Sequence, residues 1–242
     1  MKLADIHCHL VPYVDDGAAV LKEAEKLIGI EYEQGVRVIC MTPHLREGMF
    51  ETPDEEIIRQ FTRIRELIEE KYQDSLQVFL SREYHYDALY KELLSEGGFI
   101  PMGNGRWILT EFSSYHSAQM ILKAVETIRE SGLRPLVAHV ERYPSVREDL
   151  ELLKQIRKAG GAIQMNASSI LGREGPAQKR FCKKALSEKL VDVVASDAHD
   201  SVDRPPELKE AYEQISKKFG EDYAEKIFWI NPLRLLKITS EI

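Results

Sequence analysis

Seven short apolar runs punctuate the chain, at residues 3–9, 36–42, 76–83, 107–112, 136–140, 162–166 and 191–197. They recur every 26 to 40 residues, the length of a strand plus a helical crossover. Runs such as VRVIC, PLVAHV and VDVVAS are apolar on both faces, which suits parallel strands covered on two sides. Between them lie longer stretches with apolar positions at helical spacing. These cover 18–34, a stripe of Ile57, Phe61, Ile64 and Ile68, then 117–131, 149–159, 180–189 and 205–219. Gly35, Gly132 and Gly160 follow three of them, where a helix stop belongs. Thr52, Pro53, Asp54 and Glu55 read as a capping box with proline at the first helical position. The pattern predicts an α/β fold in one domain over 1–242, as a closed barrel or an open doubly wound sheet.

The polar residues that end each run favour the barrel. Run one closes on Asp5-Ile6-His7-Cys8-His9, and run two is followed by His44. Run three ends in Arg82-Glu83, run four contains Glu111, run five carries His139 and Arg142, and run seven ends in Asp197-Ala198-His199. In an α/β barrel the C-terminal strand ends converge on one face, where active sites sit. Five of the seven histidines fall at these positions. Each alone reads as a locally bonded, partly buried side chain, but their joint clustering does not.

His7 and His9 are two residues apart and share a strand face, with Cys8 opposite. An ionised Glu111 inside WILTEF costs several kcal/mol, about 3–5, unless a cation or an arginine meets it. The donor set is nitrogen and oxygen without sulfur, and its size exceeds the needs of one ion. It fits two or three ions of Mn, Fe or Zn.

Composition removes other classes. The formal net charge is −7 and the charged residues are well mixed, which disfavours a general nucleic-acid binder. No apolar run approaches the ~18 residues of a membrane span, and the start lacks the apolar stretch of a signal peptide. Cys8, Cys40 and Cys182 show no CxxC spacing and fit a reducing cytoplasm. No HCx5R loop is present, which disfavours a thiol-based phosphatase. Cys40, Cys182, Trp107 and Trp229 read as packing residues, His85 and His116 as mouth or surface residues, and Arg46 as a possible contact for an acidic peptide.

The segments DIHCHLVPYVDDG, TPHLREGMFETP, the lone Glu83, LTEFS, VAHVERY, ASDAHD, DRPP and INP resemble the polymerase-and-histidinol-phosphatase (PHP) superfamily. More closely, the chain resembles the manganese-dependent protein-tyrosine phosphatases of bacterial capsule and exopolysaccharide loci, over nearly its whole length. The resemblance implies a distorted (β/α)7 TIM-like barrel with a trinuclear metal centre. It assigns His7, His9, Glu83 and Asp197 to one ion, Glu83, Glu111 and His139 to a second, and Asp16, His44 and His199 to a third. Asp15 competes with Asp16, and the VDDG match favours Asp16. Arg82 beside Glu83 departs from the small residues common there.

The expected reaction is hydrolysis of a phosphomonoester. Arg142 is the first candidate for a phosphate clamp and Arg204 the second, with Asp197 or His199 as possible proton donors. The resemblance implies a phosphotyrosine substrate, the tyrosine-rich tail of a bacterial tyrosine kinase, and so control of capsule synthesis. The rivals are a small-molecule phosphatase of the histidinol-phosphate type and a non-catalytic metal-dependent kinase-binding regulator. The oligomeric state is left open.

Overall fold

The computed structural model describes residues 1–238. Its strands are β1 (Leu3–Cys8), β2 (Val36–Met41), β3 (His44–Leu45), β4 (Gln77–Leu80), β5 (Glu83–His85), β6 (Trp107–Glu111), β7 (Arg134–Val137), β8 (Ala162–Asn166) and β9 (Val193–Ala195). All ladders between them are parallel, in the orders β1-β2-β4 and β3-β5-β6-β7-β8-β9.

The two sheets are arcs of one ring. β3 continues β2 past Pro43, and β5 continues β4 past Ser81-Arg82. Ser81 N–H donates to the Met41 carbonyl at 2.9 Å and Glu83 N–H to the Pro43 carbonyl at 3.1 Å, so pairing carries across both breaks. At the other edge Cys8 bridges Ala198, and Asp197 N–H donates to the His7 carbonyl at 2.8 Å. The result is the distorted seven-stranded parallel barrel expected from the sequence. Its third member, anticipated as one run over 76–83, is broken in two, and its fifth and seventh are shorter than their apolar runs.

The helices are α1 (Leu21–Glu33), α2 (Asp54–Tyr72), α3 (Ala88–Glu96), α4 (Ala118–Glu130), α5 (Pro144–Glu148), α6 (Glu151–Lys158), α7 (Ala167–Leu171), α8 (Pro176–Ser187), α9 (Leu208–Phe219), α10 (Glu221–Glu225) and α11 (Asn231–Leu236). A wide turn over Lys226–Ile230 joins the last two. The expected capping box at α2 does not form. The Thr52 hydroxyl donates instead to the Val14 carbonyl at 2.7 Å and ties two active-face loops together. The acidic first turn of α2 still complements the helix dipole. No helix among the described residues is long and apolar enough to cross a membrane.

Two apolar layers hold the ring. Helix residues such as Leu27, Ile57, Ile64 and Ile121 pack on the outer strand faces with Leu3, Ile39 and Val137. Ala4, Ile6, Val38, Leu109, Leu136 and Ala195 fill the interior, and Trp229, Leu233 and Leu236 pack against them. Cys40, Cys182 and Trp229 are core residues, and Trp107 packs on the interior cluster, as the sequence suggested.

One irregularity positions the chemistry. Asp5 pairs with Ile39 and Cys8 with Met41, so β1 carries an extra residue between them. Ala4 and Ile6 face the interior and Cys8 the outer layer. Simple alternation from Ile6 would send His7 outward. The extra residue re-aims His7 and His9 over the barrel mouth.

Candidate metal centre

The site is built from strand ends. The ends of β1, β3, β5 and β6 contribute His7, His9, His44, Glu83 and Glu111. The turns after β7 and β9 contribute His139, Asp197 and His199. His139 (φ 29°) and Asp197 (φ 54°) both adopt left-handed backbone, uncommon for non-glycine residues and a recurrent feature of functional sites.

Glu83 lies at the centre. Its buried Oε2 is 3.3 Å from Nε2 of both His7 and His9 and 3.1 Å from Nδ1 of His44. Its Oε1 is 2.9 Å from Nε2 of His139. Asp197 Oδ1 is 3.3 Å from His7 Nε2 and 3.4 Å from His9 Nε2. Asp16 Oδ1 is 3.6 Å from His44 Nε2 and 3.5 Å from His199 Nε2. Glu111 Oε1 is 3.8 Å from His139 Nε2. Donor atoms of three groups fall within 4.8 Å of one another: His7, His9, Glu83 and Asp197; His9, Asp16, His44 and His199; and His44, Glu83 and Glu111. The structure therefore brings all nine expected ligands into one site.

The hydrogen bonds around the histidines show what the donors await. His7 Nδ1 is 3.1 Å from Gln164 Oε1, and His9 Nδ1 is 2.7 Å from Asp15 Oδ2. Both partners accept, so each Nδ1 carries a hydrogen and each ring turns its Nε2 inward. Those two Nε2 atoms stand 3.4 Å apart and both face the carboxylates of Glu83 and Asp197. Among the described residues, His44 Nδ1, Glu83 Oε2 and His199 Nε2 are buried without a hydrogen-bond partner. Converging imidazole nitrogens and an unpartnered carboxylate oxygen are stable beside a cation and costly without one.

The electrostatics agree. Burial raises the pKa of Glu83, but the charges of His7 and His44 hold its carboxyl well below the usual range. Burial likewise raises Asp197, and Arg142 and His7 pull it well below that range. For His9 burial lowers the pKa, yet the Asp15 carboxylate lifts it well above an ordinary imidazole. A cation binding there displaces that proton. Burial and the His9 charge lower His199 to about 4. These directions run against proton donation at neutral pH by Asp197, already ionised, or His199, already neutral.

Several neighbours depart from the sequence reading. Arg142 was the first candidate for a phosphate clamp, but its guanidinium is engaged: Nε and Nη2 reach Glu174 at 2.9 and 3.0 Å, and Nη1 reaches Asp197 Oδ2 at 2.7 Å. Arg204 meets Asp197 Oδ2 through Nη2 at 3.0 Å and is the less committed of the two. Arg82 turns away from the centre, donating to Asp54 at 2.6 Å and to the His44 carbonyl at 2.7 Å, so it fastens the His44 loop. Of His85 and His116, read as mouth or surface residues, both are buried, and His85 stands at the mouth. His85 Nδ1 bonds Glu111 Oε2 at 2.8 Å, and this contact draws the Glu111 pKa down against burial and the Glu83 charge.

Asp15, the sequence rival of Asp16, has a different place. It is buried behind His9 and accepts the His44 N–H at 2.9 Å. β8, the one run that neither contains nor leads directly into an expected ligand, supplies Gln164 and Asn166. Asn166 Nδ2 donates to Asp197 Oδ2 at 2.8 Å, and Gln164 Oε1 accepts the His139 N–H at 2.6 Å. Their signal was present in AIQMN, as two amides two residues apart in an otherwise apolar strand.

Comparison with known proteins places this geometry. The family described as capsular polysaccharide synthesis, CpsB/CapC, matches residues 3–237. The tyrosine-protein phosphatase CpsB of Streptococcus agalactiae serotype III is 38% identical over 240 residues, covering 97% of this chain and 98% of that one. A chain from the crystal structures of Bacillus subtilis YwqE and Streptococcus pneumoniae CpsB, metal-dependent tyrosine phosphatases, superposes with a TM-score of 0.88 at 26% identity, over 99% of this chain and 96% of that one. Histidinol phosphate phosphatase from Lactococcus lactis shares the fold, with a TM-score of 0.59 at 15% identity over 90% of this chain and 94% of that one. A barrel of this topology, with this mouth, matched from residue 3 to residue 237, makes the chain a member of the CpsB/CapC family.

Proposed function

We infer that the chain is a metal-dependent phosphomonoesterase that removes phosphate from tyrosine of a protein substrate and so takes part in regulating capsule synthesis. The observation that carries this is Glu83, one buried carboxylate facing four imidazoles. In this reading His7, His9, Glu83 and Asp197 hold one ion, Glu83, Glu111 and His139 a second, and Asp16, His44 and His199 a third. The nitrogen and oxygen donors suit Mn2+, with Fe or Zn as alternatives. Bound ions supply Lewis acidity toward phosphoryl oxygens and lower the pKa of water.

The chain's own groups do the rest. Arg204 holds the phosphate with its free guanidinium donors, and Arg142 joins only by loosening one of its carboxylate partners. Asn166, Arg142 and Arg204 together fix Asp197 in its ionised form. A tyrosine phenolate, with a conjugate-acid pKa of about 10, departs without a strong general acid, consistent with the absence of a well-poised one in Asp197 and His199.

A polypeptide substrate is favoured by the rim. Tyr13, Met49, Tyr115 and Val202 are exposed by 53%, 59%, 80% and 78%, and each lies in a loop that follows a strand on the active face. A small polar phosphate has no use for such apolar positions, whereas a peptide flanking a phosphotyrosine does. The tyrosine-rich tail of a bacterial kinase in the cytoplasm is the partner in this reading.

The test is turnover of a phosphotyrosine peptide beside histidinol phosphate, with metal content measured on the same sample. Efficient peptide hydrolysis that vanishes on chelation is expected. Preference for histidinol phosphate would sink the substrate assignment, and full activity in a metal-stripped sample would sink the metal mechanism.

A further inference from the structure

At the opposite end of the barrel the strands begin in a different electrostatic setting. Arg106 and Arg134 flank the starts of β6 and β7, Arg129 lies in the last turn of α4, and Arg234 and Lys237 stand at the end of α11. The five cations line one pocket of about 410 Å³ with Trp107, and among the described residues no acidic side chain lines it. The whole chain carries a net charge of −7, so this concentration of positive charge runs against its average.

The cations have little else to do. Elsewhere on the surface Lys154, Arg157 and Arg173 each meet a carboxylate within 3.2 Å. Among the described residues, the side chains of Arg106, Arg134, Arg234 and Lys237 have no such ion pair and no hydrogen-bond acceptor. Arg129 donates one N–H to the Leu133 carbonyl at 3.0 Å, and Arg134 lies 5.5 Å above the Trp107 ring. The negative ends of α4 and α11 account for cations on those helices. They do not account for Arg106 and Arg134, which belong to strand starts.

The fold also presses these elements together. The turn before β6 packs against the last carbonyls of α11, with Asn104 N–H donating to Leu236 O at 2.8 Å. A Cβ on Gly103 would come within 2.5 Å of Leu236 O, and one on Gly105 within 2.6 Å of Leu235 O. Two glycines thus permit the approach that sets Arg106 beside Arg234 and Lys237. Lys237 itself takes left-handed backbone, φ 54°, where glycine is the usual choice.

We propose that this pocket is an anion site, distinct from the metal centre, for a ligand that carries clustered phosphate charges. Like charges gathered in a concave site repel one another, and an anion with several oxygens relieves that repulsion while engaging the paired guanidinium donors. β6 spans the barrel from Trp107 at the pocket to Glu111 at the metals, a run of about 13 Å at the usual strand rise. Substrate phosphate at the centre cannot fill both places. The same chemistry is offered by a free diphosphate and by phospholipid headgroups, and the concave shape favours the former.

The test uses the metal-loaded chain and two double variants on separate elements, Arg106→Gln with Arg134→Gln and Arg234→Gln with Lys237→Gln. Inorganic pyrophosphate binding is measured by equilibrium dialysis with Mn2+ in excess. Sedimentation with phosphatidylcholine vesicles, with and without phosphatidylserine, is measured in parallel. The wild type should bind two pyrophosphates per chain. Each variant should keep the metal-centre one and weaken the other by at least ~10-fold, the loss expected for a charged hydrogen bond. Phosphatase activity and melting temperature should stay at wild-type values. Vesicle binding that needs phosphatidylserine and is lost in both variants would identify headgroups as the source. Equal behaviour of wild type and both variants in both assays would overturn the proposal.

Discussion

The Asp15 carboxylate stands 2.7 Å from Nδ1 of His9, on the side of the ring opposite the metal-facing nitrogen. Its other oxygen accepts the Gly17 N–H at 3.0 Å, so the loop that carries Asp16 is folded around it. Adjacent acids in one sequence motif therefore have separate tasks. Asp15 orients an imidazole, and Asp16, half exposed, faces His44 and His199. Asp15→Asn should lower metal affinity by ~10–100-fold, the usual cost of losing a carboxylate behind a metal-binding histidine. Excess Mn2+ should restore much of its activity. Asp16→Asn should lose activity that excess metal does not restore. Metal titrations of the two variants against para-nitrophenyl phosphate turnover decide the matter, and indistinguishable titration curves would refute the division of labour.

The two arginines at the mouth should separate in steady-state kinetics. Among the described residues the Arg204 guanidinium is bound only to Asp197, at its carboxylate and at the limit of hydrogen-bond distance to its carbonyl, and retains free donors. Arg142 is held by Glu174 and Asp197. Arg204→Ala should lower kcat/KM by ~10²-fold, as expected for loss of a charge-stabilising donor. Arg204→Lys should recover little of it, because an ammonium cannot replace a planar fork. Arg142→Ala should act mainly through Asp197, with a lowered metal affinity beside its kinetic defect. An Arg142→Ala variant with normal metal affinity would break that link.

Chelation offers an independent check through stability. The centre crowds Asp15, Asp16, Glu83, Glu111 and Asp197 around five imidazoles, with buried donor atoms left unpartnered. Metal that binds only the folded chain at 100 times its dissociation constant adds ~2.7 kcal/mol. In a chain of this length that corresponds to a fall of roughly 5–11 °C in Tm when the metal is removed. The fall should reverse with Mn2+. A melting temperature unmoved by chelator would argue against ions at these residues.

The sequence revealed what depends on residue type and spacing. Parallel strands are apolar on both faces, and catalytic groups end them, so VRVIC, WILTEF and PLVAHV located the barrel and most of its mouth. What depends on three-dimensional deviation stayed hidden. The extra residue in β1 that turns His7 inward leaves no compositional trace, and neither do the left-handed turns at His139 and Asp197. Likewise, the sequence shows Arg82 beside Glu83 as a departure from small residues but not where its side chain goes. The break between β4 and β5 lets it point to Asp54 and the His44 carbonyl instead. Gln164 and Asn166 went unread because an amide binds no metal strongly, although each orients a group that faces the centre.

Beneath the centre a second pair of acids makes a prediction about pH. Glu31, from α1, and Asp5, from β1, are both fully buried, and among the described residues neither Glu31 oxygen has a hydrogen-bond partner. Burial is the main cause that pushes Glu31 well above its ordinary value, and the Asp5 charge adds to it. Burial raises Asp5 as well, although Ser196 and the His7 N–H bond its carboxylate. The folded chain therefore binds more protons here than the unfolded one, so its stability is fully present below about pH 4.5 and declines as pH rises through the folded-state values. Glu31→Gln removes the need for that proton while keeping the shape. The variant should match or fall below the wild type at pH 5 and exceed it at pH 8. Since ~1 kcal/mol moves Tm by roughly 2–4 °C at this size, a crossover of that order is measurable. Thermal melts of both proteins, each with chelator to remove metal-linked titration, give the comparison. Parallel Tm–pH curves would show that Glu31 does not hold an extra proton in the folded chain.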